Sequence, residues 1–518
     1  MLLGSSDANA PTTRETPSNR VDPGVFGVSA GITILFVLWG VLSTDSLALF
    51  AKSTLAWLVT RFGWMFILFA AGFVAFIVFI GVSRYGRIRL GADDDRPEIS
   101  TRSWLAMMFS AGMGIGLMFY GVFEPLNHLL SPPPMPGGVV PEAGTGAAAL
   151  RAMQYTLFHW AVHPWSMYAV VGLALAYSTY RKRRRLLVSA AFEPLFGRFA
   201  RGGAGKATDI FAIIATLVGS ATSLGLGALQ INAGLSRIAG MERSIALQMI
   251  IIGVLTVAFI LSAVSGVTAG IKWLSDGNMV LAILLAVFLL VVGPTVFILN
   301  LIPTTVGAYL QRFVRMTFTT GAFSETNWSA AWTIFYWAWW VSWTPFVGMF
   351  IARISRGRTI REFVLGVVLV PSLVSAVWFA IFGGTALKLQ LSGAADLAAA
   401  LEAGGQEGAL FATLAAFPFA GATSVVVVIL VALFFVSGAD AAAVVLGILS
   451  SRGSTSPGRG VVITWGVLTG AIAAILLMAG GLDALQNITI IGAAPFTIAM
   501  ALLCVSLYRD LRDDASRP

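Results

Sequence analysis

Aromatic side chains are concentrated in two apolar stretches of the chain, and their spacing suggests a binding site. The first stretch carries Trp160, Trp165 and Tyr168, and the second carries Trp332, Tyr336, Trp339, Trp340 and Trp343. Trp332, Tyr336 and Trp340 recur every four residues, so these rings share one face of a helix. Indole faces attract cations by about 0.5–2 kcal/mol per contact. The pattern favours a cage for a quaternary ammonium group, with an aromatic packing core as the alternative.

A run of alternating glycines predicts a break in another apolar helix. The run consists of Ala111, Gly112, Met113, Gly114, Ile115 and Gly116. Each glycine lowers helix stability by about 1 kcal/mol relative to alanine, so the cluster favours unwinding. Unwound backbone offers N–H groups to a carboxylate and carbonyl oxygens to a cation, whereas close helix packing is the alternative use of such glycines. The segment 437–440, Ser-Gly-Ala-Asp, is a second candidate break.

The elements that carry these residues belong to a membrane protein. Of the 518 residues, 57% are hydrophobic and only 11% are charged, and the mean hydropathy is +0.86. A membrane span needs roughly 20 apolar residues, and about twelve stretches meet this requirement. The predicted spans are 26–50, 63–84, 104–130, 148–180, 207–236, 243–265, 277–302, 327–353, 359–384, 422–450, 459–481 and 488–508.

The distribution of basic residues predicts the orientation of these spans. Arginine and lysine cluster in the short loops 83–89, 180–185, 353–361 and 451–459, which places those loops in the cytoplasm. Both termini then lie in the cytoplasm of a bacterial cell, and the chain crosses the inner, or plasma, membrane several times. The net charge of +9 is explained by these loops, so no nucleic-acid partner is predicted.

Outside the spans, three segments have distinct compositions. Residues 1–25 are polar and predict a disordered cytoplasmic tail, and residues 509–518 predict a short cytoplasmic tail. Residues 304–322 combine an apolar face with a basic face, which predicts an amphipathic helix on the outer surface. A single cysteine and three histidines offer little for a metal centre, and no nucleophile–base pair is evident. The chain is therefore not predicted to be an enzyme.

Several motifs of the chain resemble those of the betaine/choline/carnitine transporter family. They are the glycine run continued to residue 121, Glu124-Pro125, His159-Trp160, His163-Pro164-Trp165 with Tyr168, and the stretch 332–361. The resemblance covers about residues 26–508. It implies an all-α, leucine-transporter-like fold with two extra helices in 26–100, a five-helix repeat in 101–303 and an inverted repeat in 323–508. It also implies a homotrimer and, in the glycine betaine members, symport with sodium.

The resemblance assigns roles to individual residues of this chain. The aromatic box would consist of Trp160, Trp165, Tyr168 and Trp340, and the residues lining the path or capping the site would be Trp339, Trp343 and Phe119. The backbone of the glycine run 111–116 would complete the substrate site.

Sodium, the expected coupling ion, would occupy two sites, and no other cofactor is implied. The first would lie between Ser110 and Met113 on one helix and Phe434, Ser437 and Gly438 on another. The second would involve Thr216, Ser220 and Phe346. Members that transport betaine carry two adjacent hydroxyl residues where this chain has Ser437 and Gly438, so one side-chain oxygen is lost.

Other polar residues admit two interpretations each. His159 and His163 could form a metal pair or a proton relay, but a structural hydrogen bond is the favoured interpretation. Glu124 lies near the predicted outer end of its span and could be a gate contact or a helix cap. Asp440 is an ionisable group inside a span, which is by default a functional candidate, although helix ends could equally satisfy it.

The chemistry of these residues favours one class of solute. Neither the glycine run nor the tryptophan stretches contain a carboxylate, so a zwitterion, whose negative end could bind backbone N–H groups, is favoured over a pure cation. The predicted function is import of glycine betaine or a similar compatible solute with sodium, by alternating access. Dimethylsulfoniopropionate, choline, carnitine and ectoine are alternative substrates, and proton coupling or exchange is an alternative mechanism. A solute-gated channel or receptor is the alternative class.

Overall fold

The computed structural model describes residues 21–112, 114–134, 139–265, 268–322 and 328–515. Within these ranges all regular secondary structure is helical, apart from one isolated β-bridge between Arg89 and Thr359. Seven of the described helices are long and apolar enough to cross a membrane, and counting one bent pair as a span gives eight. The prediction of an all-α, multi-pass membrane protein is confirmed.

The first six helices lead from the N-terminus to the tryptophan site. They are α1 (Pro23–Leu42), α2 (Thr44–Val82), α3 (Thr101–Gly112), α4 (Ile115–Leu130), α5 (Gly146–Trp160) and α6 (Val162–Ala176), and a π-helical turn, Tyr177–Arg181, continues α6. Helix α1 begins earlier than predicted because Asp22 accepts hydrogen bonds from the N–H groups of Gly24 and Val25, and Pro23 is preorganised for a first turn. Residues 1–20 of the predicted tail lie outside the described residues.

Two breaks interrupt these helices at the level of the site. Between α3 and α4 the backbone is extended at Gly114, with φ −176° and ψ −176°, which is the break that the glycine run predicts. Between α5 and α6 Ala161 is non-helical, with φ −108° and ψ −112°, although a single span was predicted there. The nearby Pro164 has no N–H to bond the carbonyl oxygen of Trp160, so a helix that ran unbroken through Ala161 would lose that bond, whereas the first turn of α6 tolerates the proline.

The next five helices include a long central helix and a surface helix. They are α7 (Glu193–Phe196), α8 (Gly203–Ala239), α9 (Ile245–Ser265), α10 (Thr268–Val292) and α11 (Thr295–Thr317). Helix α11 turns by 110° from the second part of α10. The predicted amphipathic helix 304–322 therefore exists but begins at Thr295, and the preceding span ends at Val292 rather than at residue 302. Pro294 lacks an N–H and sits at the bend, where it ends the straight helix.

The last five helices carry the second aromatic stretch and the C-terminus. A π-helical turn, Ala330–Ile334, leads into α12 (Phe335–Ile354), which is followed by α13 (Ile360–Ser392), α14 (Leu397–Leu414), α15 (Ala420–Ser450) and α16 (Arg459–Ala515). Helix α14 occupies much of the interval between the predicted spans 359–384 and 422–450. Helix α16 is interrupted at Gly480 and Gly481, which separates the two predicted spans.

The candidate break at Ser437 and Gly438 is wrong, because α15 is helical throughout this segment. A single glycine lowers helix stability by about 1 kcal/mol, which a 31-residue apolar helix packed in the membrane tolerates. Only one of the two predicted unwound segments is therefore present in the described residues.

Helix α8 is the centre of the packing, because α16, α15 and α12 all lie against it. Small residues permit this close approach: a Cβ atom at Gly219 would lie 2.1 Å from Oγ of Ser342 on α12. The close α8–α12 contact brings the middle of α8 beside the tryptophans of α12, and so it positions one wall of the site.

The C-terminal end of α16 reaches into the segment 509–518, which was predicted to be a short cytoplasmic tail, and it is tied to the loop after α6. Asp510 forms a bidentate ion pair with Arg184, and Asp514 accepts hydrogen bonds from Arg181 and Lys182 at 2.9 and 3.1 Å. These charged partners satisfy carboxylates that are mostly shielded from water. The end of α16 is thus held by the basic loop that the positive-inside pattern identified.

The substitution Asp510→Asn tests how much this contact stabilises the protein. It removes the bidentate partner of the Arg184 guanidinium, which then keeps its 3.3 Å contact with Glu193, so we expect the midpoint of thermal unfolding to fall by roughly 2–5 °C. A dye-based thermal unfolding assay on purified protein measures the change. The matched control is Arg509→Ala at the exposed neighbouring position, and an equal shift in both variants would contradict a specific role for the ion pair.

Candidate functional site

A cavity of about 260 Å³ lies in the middle of the helix assembly, where the α3–α4 break faces α6, α8, α12 and α15. It is lined by residues from eight helices, so no single sequence segment defines it. Of the predicted substrate residues, those that border the cavity are Gly114, Ile115, Gly116, Trp160, Trp165, Tyr168, Trp339, Trp340 and Trp343. Ala111 and Gly112 are the last residues of α3, and Met113 lies outside the described residues.

The aromatic walls of the cavity meet at steep angles. The rings of Trp160 and Trp340 are 4.8 Å apart at 77°, and the ring of Tyr168 is 6.2 Å from that of Trp340 at 82°. Trp165 meets Tyr168 edge to face at 5.2 Å, and Trp339 stacks on Trp340 at 5.0 Å. Edge-to-face contacts between rings leave faces available on the inner side of a concave wall. The four residues of the predicted box therefore lie together as neighbours.

The indole N–H groups around the cavity fall into two classes. Trp160 donates to Oε2 of Glu124 at 2.7 Å, and Trp340 donates to the carbonyl oxygen of His159 at 2.9 Å. Trp339 and Trp343 have buried indole nitrogens without a hydrogen-bond partner among the described residues. A buried donor without a partner is costly, by about 1–3 kcal/mol, and its need is met by an acceptor on a bound molecule or by water. The site therefore holds two rings fixed by their indole hydrogen bonds and two rings whose indole N–H groups have no partner among the described residues.

The glycine run contributes in two ways. Helix α4 begins at Ile115, so the N–H groups of its first turn lack intrahelical partners and lie at the positive end of the helix dipole. Gly116 instead makes room for the rings, because a Cβ atom there would lie 2.8 Å from Trp160 and 2.9 Å from Trp339. The two interpretations of the glycine run, a break and close packing, are thus both correct at different residues.

The residues assigned to sodium border the same cavity in most cases. Ser110, Phe434, Ser437, Gly438, Ser220 and Phe346 all line it. Oγ of Ser437 is 3.4 Å from the carbonyl oxygen of Phe434, and no atom would crowd a Cβ at Gly438. Hydroxyl and carbonyl oxygens are the ligands that hard cations prefer. The side of the cavity formed by α3 and α15 therefore offers oxygen ligands, although Gly438 lacks a hydroxyl group.

Two predicted site residues do not border the cavity. Phe119 is fully buried and packs against Tyr120 at 5.0 Å, so its expected position on the path differs from the structure. It lies one helical turn past Gly116 toward the interior of α4, where its side chain joins the aromatic core. Thr216 is also buried, and its hydroxyl donates to the carbonyl oxygen of Ala212 at 2.8 Å. Only Ser220 of the Thr216–Ser220 pair faces the cavity.

Glu124 is the residue that sequence reasoning placed wrongly. It is fully buried in the middle of α4 and accepts hydrogen bonds from Tyr336 at 2.6 Å, from His159 at 2.6 Å and from Trp160. It is therefore neither a helix cap nor remote from the aromatic box. A lone carboxylate in an apolar stretch was the available signal, because such residues inside a membrane are retained for a function.

The remaining polar candidates are engaged separately. Nε2 of His163 is 3.1 Å from the hydroxyl of Thr317, whereas the ring of His159 bonds Glu124 and Thr333, so the two histidines serve different hydrogen bonds, as the favoured interpretation expected. Asp440 is buried and accepts a hydrogen bond from Ser262 at 3.4 Å.

Ser223 and Ser375 were missed as lining residues. Ser223 follows Ser220 by three positions and so shares its helix face, which was a usable signal. Ser375 lies on α13 and offered none.

Comparison with known protein families shows to which family this chain belongs. Residues 24–516 match the model of the BCCT family, the betaine/carnitine/choline family of transporters. The chain belongs to this family. It is a transporter and not an enzyme, and the resemblance seen in its motifs is confirmed along nearly the whole length.

Characterised relatives in the family are named for related solutes. The glycine betaine transporter OpuD of Bacillus subtilis is 47% identical over 489 residues, which cover 94% of each chain. The betaine/ectoine transporter LcoP of Corynebacterium glutamicum is 42% identical, over 95% of this chain and 78% of its own. The ectoine/hydroxyectoine transporter of Virgibacillus pantothenticus is 41% identical, over 94% of this chain and 96% of its own.

Proposed function

We propose that the protein imports a zwitterionic onium solute, glycine betaine or a close analogue, together with sodium by alternating access. The observation that carries the proposal is the cavity itself: aromatic walls adjoin a broken helix whose N-terminal turn faces the same space. A wall that attracts a cation and a set of N–H donors in one cavity suit a molecule with both charges.

The positive head would bind the aromatic wall. A quaternary ammonium group cannot donate hydrogen bonds, so it gains from ring faces rather than from oxygen atoms. The rings of Trp160 and Tyr168 stand at 77° and 82° to the ring of Trp340. The indole N–H groups of Trp160 and Trp340 are engaged in hydrogen bonds with Glu124 and His159. Trp165 completes the box beside Tyr168.

The carboxylate would bind the donors at the other side of the cavity. The N–H groups of Ile115 and Gly116 open the first turn of α4, where the helix dipole favours a negative charge. The indole N–H groups of Trp339 and Trp343, which lack a partner among the described residues, would be the other donors to it. This division of labour requires no Lys or Arg at the site.

Sodium would bind the oxygens at the end of the cavity formed by α3 and α15. Ser110 and Ser437 supply hydroxyl groups there, and the backbone of Phe434, Gly438 and Met113 would complete the first ion site. The second ion site would use Ser220 with Thr216, after the Thr216 hydroxyl turns from its helix carbonyl, next to Phe346. The oxygen lost at Gly438 would be replaced by water or by a backbone carbonyl.

The names of the relatives support this class of substrate and favour one alternative. OpuD is named for glycine betaine, whereas LcoP and the Virgibacillus relative are named for ectoine as well. Ectoine also carries a delocalised positive charge and a carboxylate, so the same cavity could hold it. Uptake of ectoine is therefore the second candidate.

The architecture proposed for this function goes beyond the helices of the described residues. Twelve spans would form two inverted five-helix repeats after two extra helices, with both termini in the cytoplasm of the bacterial inner membrane and three copies in a homotrimer. The contact of the basic residues 181–184 with the end of α16 supports a common side for these two segments.

Titration of the purified protein tests the proposal. Tryptophans line the cavity, so we expect their fluorescence to change saturably on addition of glycine betaine, with an affinity at least about tenfold higher in sodium than in potassium buffer. Ectoine, carnitine and choline are titrated in parallel to rank the substrates. Binding that is equal in both buffers for every solute would contradict sodium coupling, and no binding of any of them would contradict the proposed substrate class.

A further inference from the structure

Behind the aromatic wall lies a cluster of polar groups that transport itself does not explain. Glu124 is surrounded by His128, His159, Trp160 and Tyr336, and every one of these side chains is buried. Oε1 of Glu124 is 2.6 Å from Nδ1 of His159 and 3.5 Å from Nε2 of His128. Both ring nitrogens of His128 lack a hydrogen-bond partner among the described residues. The cluster is therefore a set of titratable groups facing one carboxylate.

The spacing of these atoms fits hydrogen bonding better than metal binding. Two ligands of one tetrahedral zinc ion, each about 2.1 Å from the metal, lie roughly 3.4 Å apart. The 2.6 Å separation between Glu124 and His159 is that of a short hydrogen bond. The second carboxylate oxygen is also engaged, because it accepts from Trp160 and Tyr336. Both carboxylate oxygens are thus already engaged in short hydrogen bonds.

These hydrogen bonds favour a charged carboxylate. Two donors, the indole N–H of Trp160 and the hydroxyl of Tyr336, point to Oε2, and Nδ1 of His159 lies 2.6 Å from Oε1; a carboxylate is a stronger acceptor for such donors than a neutral acid. Among the described residues, no Lys or Arg forms an ion pair with Glu124, and the titratable side chains nearest to its carboxyl group are His128 and His159. A charged carboxylate at Glu124 would lie one indole ring away from the cavity.

We propose that Glu124 determines the specificity of the cage for a positively charged head group, by holding a negative charge against the indole of Trp160. The hydrogen bond from Trp160 to the carboxylate increases the electron density of the indole ring. The carboxylate also attracts a cation that lies on the cavity side of the same ring. Glu124 does not touch the substrate, so it is a positioning residue that acts through Trp160. This inference rests on the proposed function, because it assumes an onium group in the cavity.

The substitution Glu124→Gln isolates the charge. The glutamine oxygen can still accept from Trp160 and Tyr336, and its amide can donate to Nδ1 of His159 once that ring carries its proton on Nε2. The proton on Nε2 then donates to the hydroxyl of Thr333, which is 3.1 Å away. The hydrogen-bond network is therefore preserved while one charge is removed.

The test compares glycine betaine with 3,3-dimethylbutanoate, in which a carbon atom replaces the positive nitrogen. Calorimetric titration of the purified Glu124→Gln variant is expected to show glycine betaine binding about tenfold weaker, the size of effect that a unit charge exerts across one ring at intermediate dielectric constant. Binding of the carbon analogue should stay the same or become tighter. The ratio of the two affinities is the readout, because a purely structural defect weakens both ligands alike.

Two further variants keep the result interpretable. Thr333→Val removes the other hydrogen bond of His159 without changing the charge and should leave the affinity ratio unchanged. Glu124→Asp keeps the charge, so the ratio of the two affinities should be preserved even if both affinities fall. If the Glu124→Gln variant does not fold, a strongly reduced ratio in Glu124→Asp overturns the inference. An unchanged ratio in Glu124→Gln overturns it as well. Absence of glycine betaine binding by the unmodified protein would instead contradict the proposed function.

Discussion

Replacement of Trp340 by leucine is expected to weaken glycine betaine binding by about 100-fold, or roughly 3 kcal/mol. Trp340 is the central ring of the wall, because it contacts Trp160 at 4.8 Å, Trp339 at 5.0 Å and Tyr168 at 6.2 Å. Leucine removes the ring face and also releases Trp160 and Tyr168 from their mutual arrangement. The expected loss therefore exceeds that of a single cation–π contact.

Calorimetric titration, rather than fluorescence, measures this effect, because the substitution removes one of the reporting tryptophans. The control is Trp64→Leu, since Trp64 lies on α2 with 53% of its surface exposed. The control should bind like the unmodified protein. An affinity within about threefold of normal for Trp340→Leu would show that the aromatic residues form a packing core and not a cage.

The substitution Gly116→Ala is expected to weaken binding by about tenfold, because overpacking in a tight interior costs roughly 1–3 kcal/mol. The added methyl group would lie 2.8 Å from a ring carbon of Trp160 and 2.9 Å from one of Trp339. Trp160 cannot simply retreat, since its indole N–H is held by Glu124 at 2.7 Å. One wall of the cage must therefore shift.

The matched control for this substitution is Gly72→Ala on α2, where no atom lies within 4 Å of the added methyl group. Binding and thermal stability are measured for both variants. Gly116→Ala should lose affinity while the control does not, and equal affinities for the two would mean that the ring positions adjacent to Gly116 are unimportant for the substrate.

The extent to which the sequence predicts this fold depends on the range of each signal. Hydropathy and helical periodicity are local, so the helices predicted at 207–236, 243–265, 327–353 and 422–450 could be located within a few residues, whereas α2 begins at Thr44 and not at residue 63. The break at Gly114 could be predicted because three glycines act together, whereas the lone Gly438 does not break α15. The break at Ala161 was not predicted, because no run of weak helix formers marks it and a lone proline such as Pro164 also occurs inside α4, α12 and α13.

Residues that line the cavity could be predicted from the sequence, whereas buried residues that contact the lining residues were harder to predict. Trp160 and Trp340 have a type and spacing that indicate their chemistry. The contact of Glu124 with His159 joins residues 35 positions apart, and no periodicity reports such a contact. Its isolation as a carboxylate in an apolar stretch was the only local sign. The start of α11 was displaced because hydropathy does not reveal a 110° bend.

Uptake of labelled glycine betaine into proteoliposomes is the most direct test of the central claim. With sodium outside and potassium inside, the account predicts accumulation of glycine betaine above its external concentration, and little uptake when potassium replaces external sodium. The Trp340→Leu variant should lose this uptake at low substrate concentration. Accumulation that is no greater than in protein-free vesicles, for glycine betaine and for ectoine alike, would contradict the account.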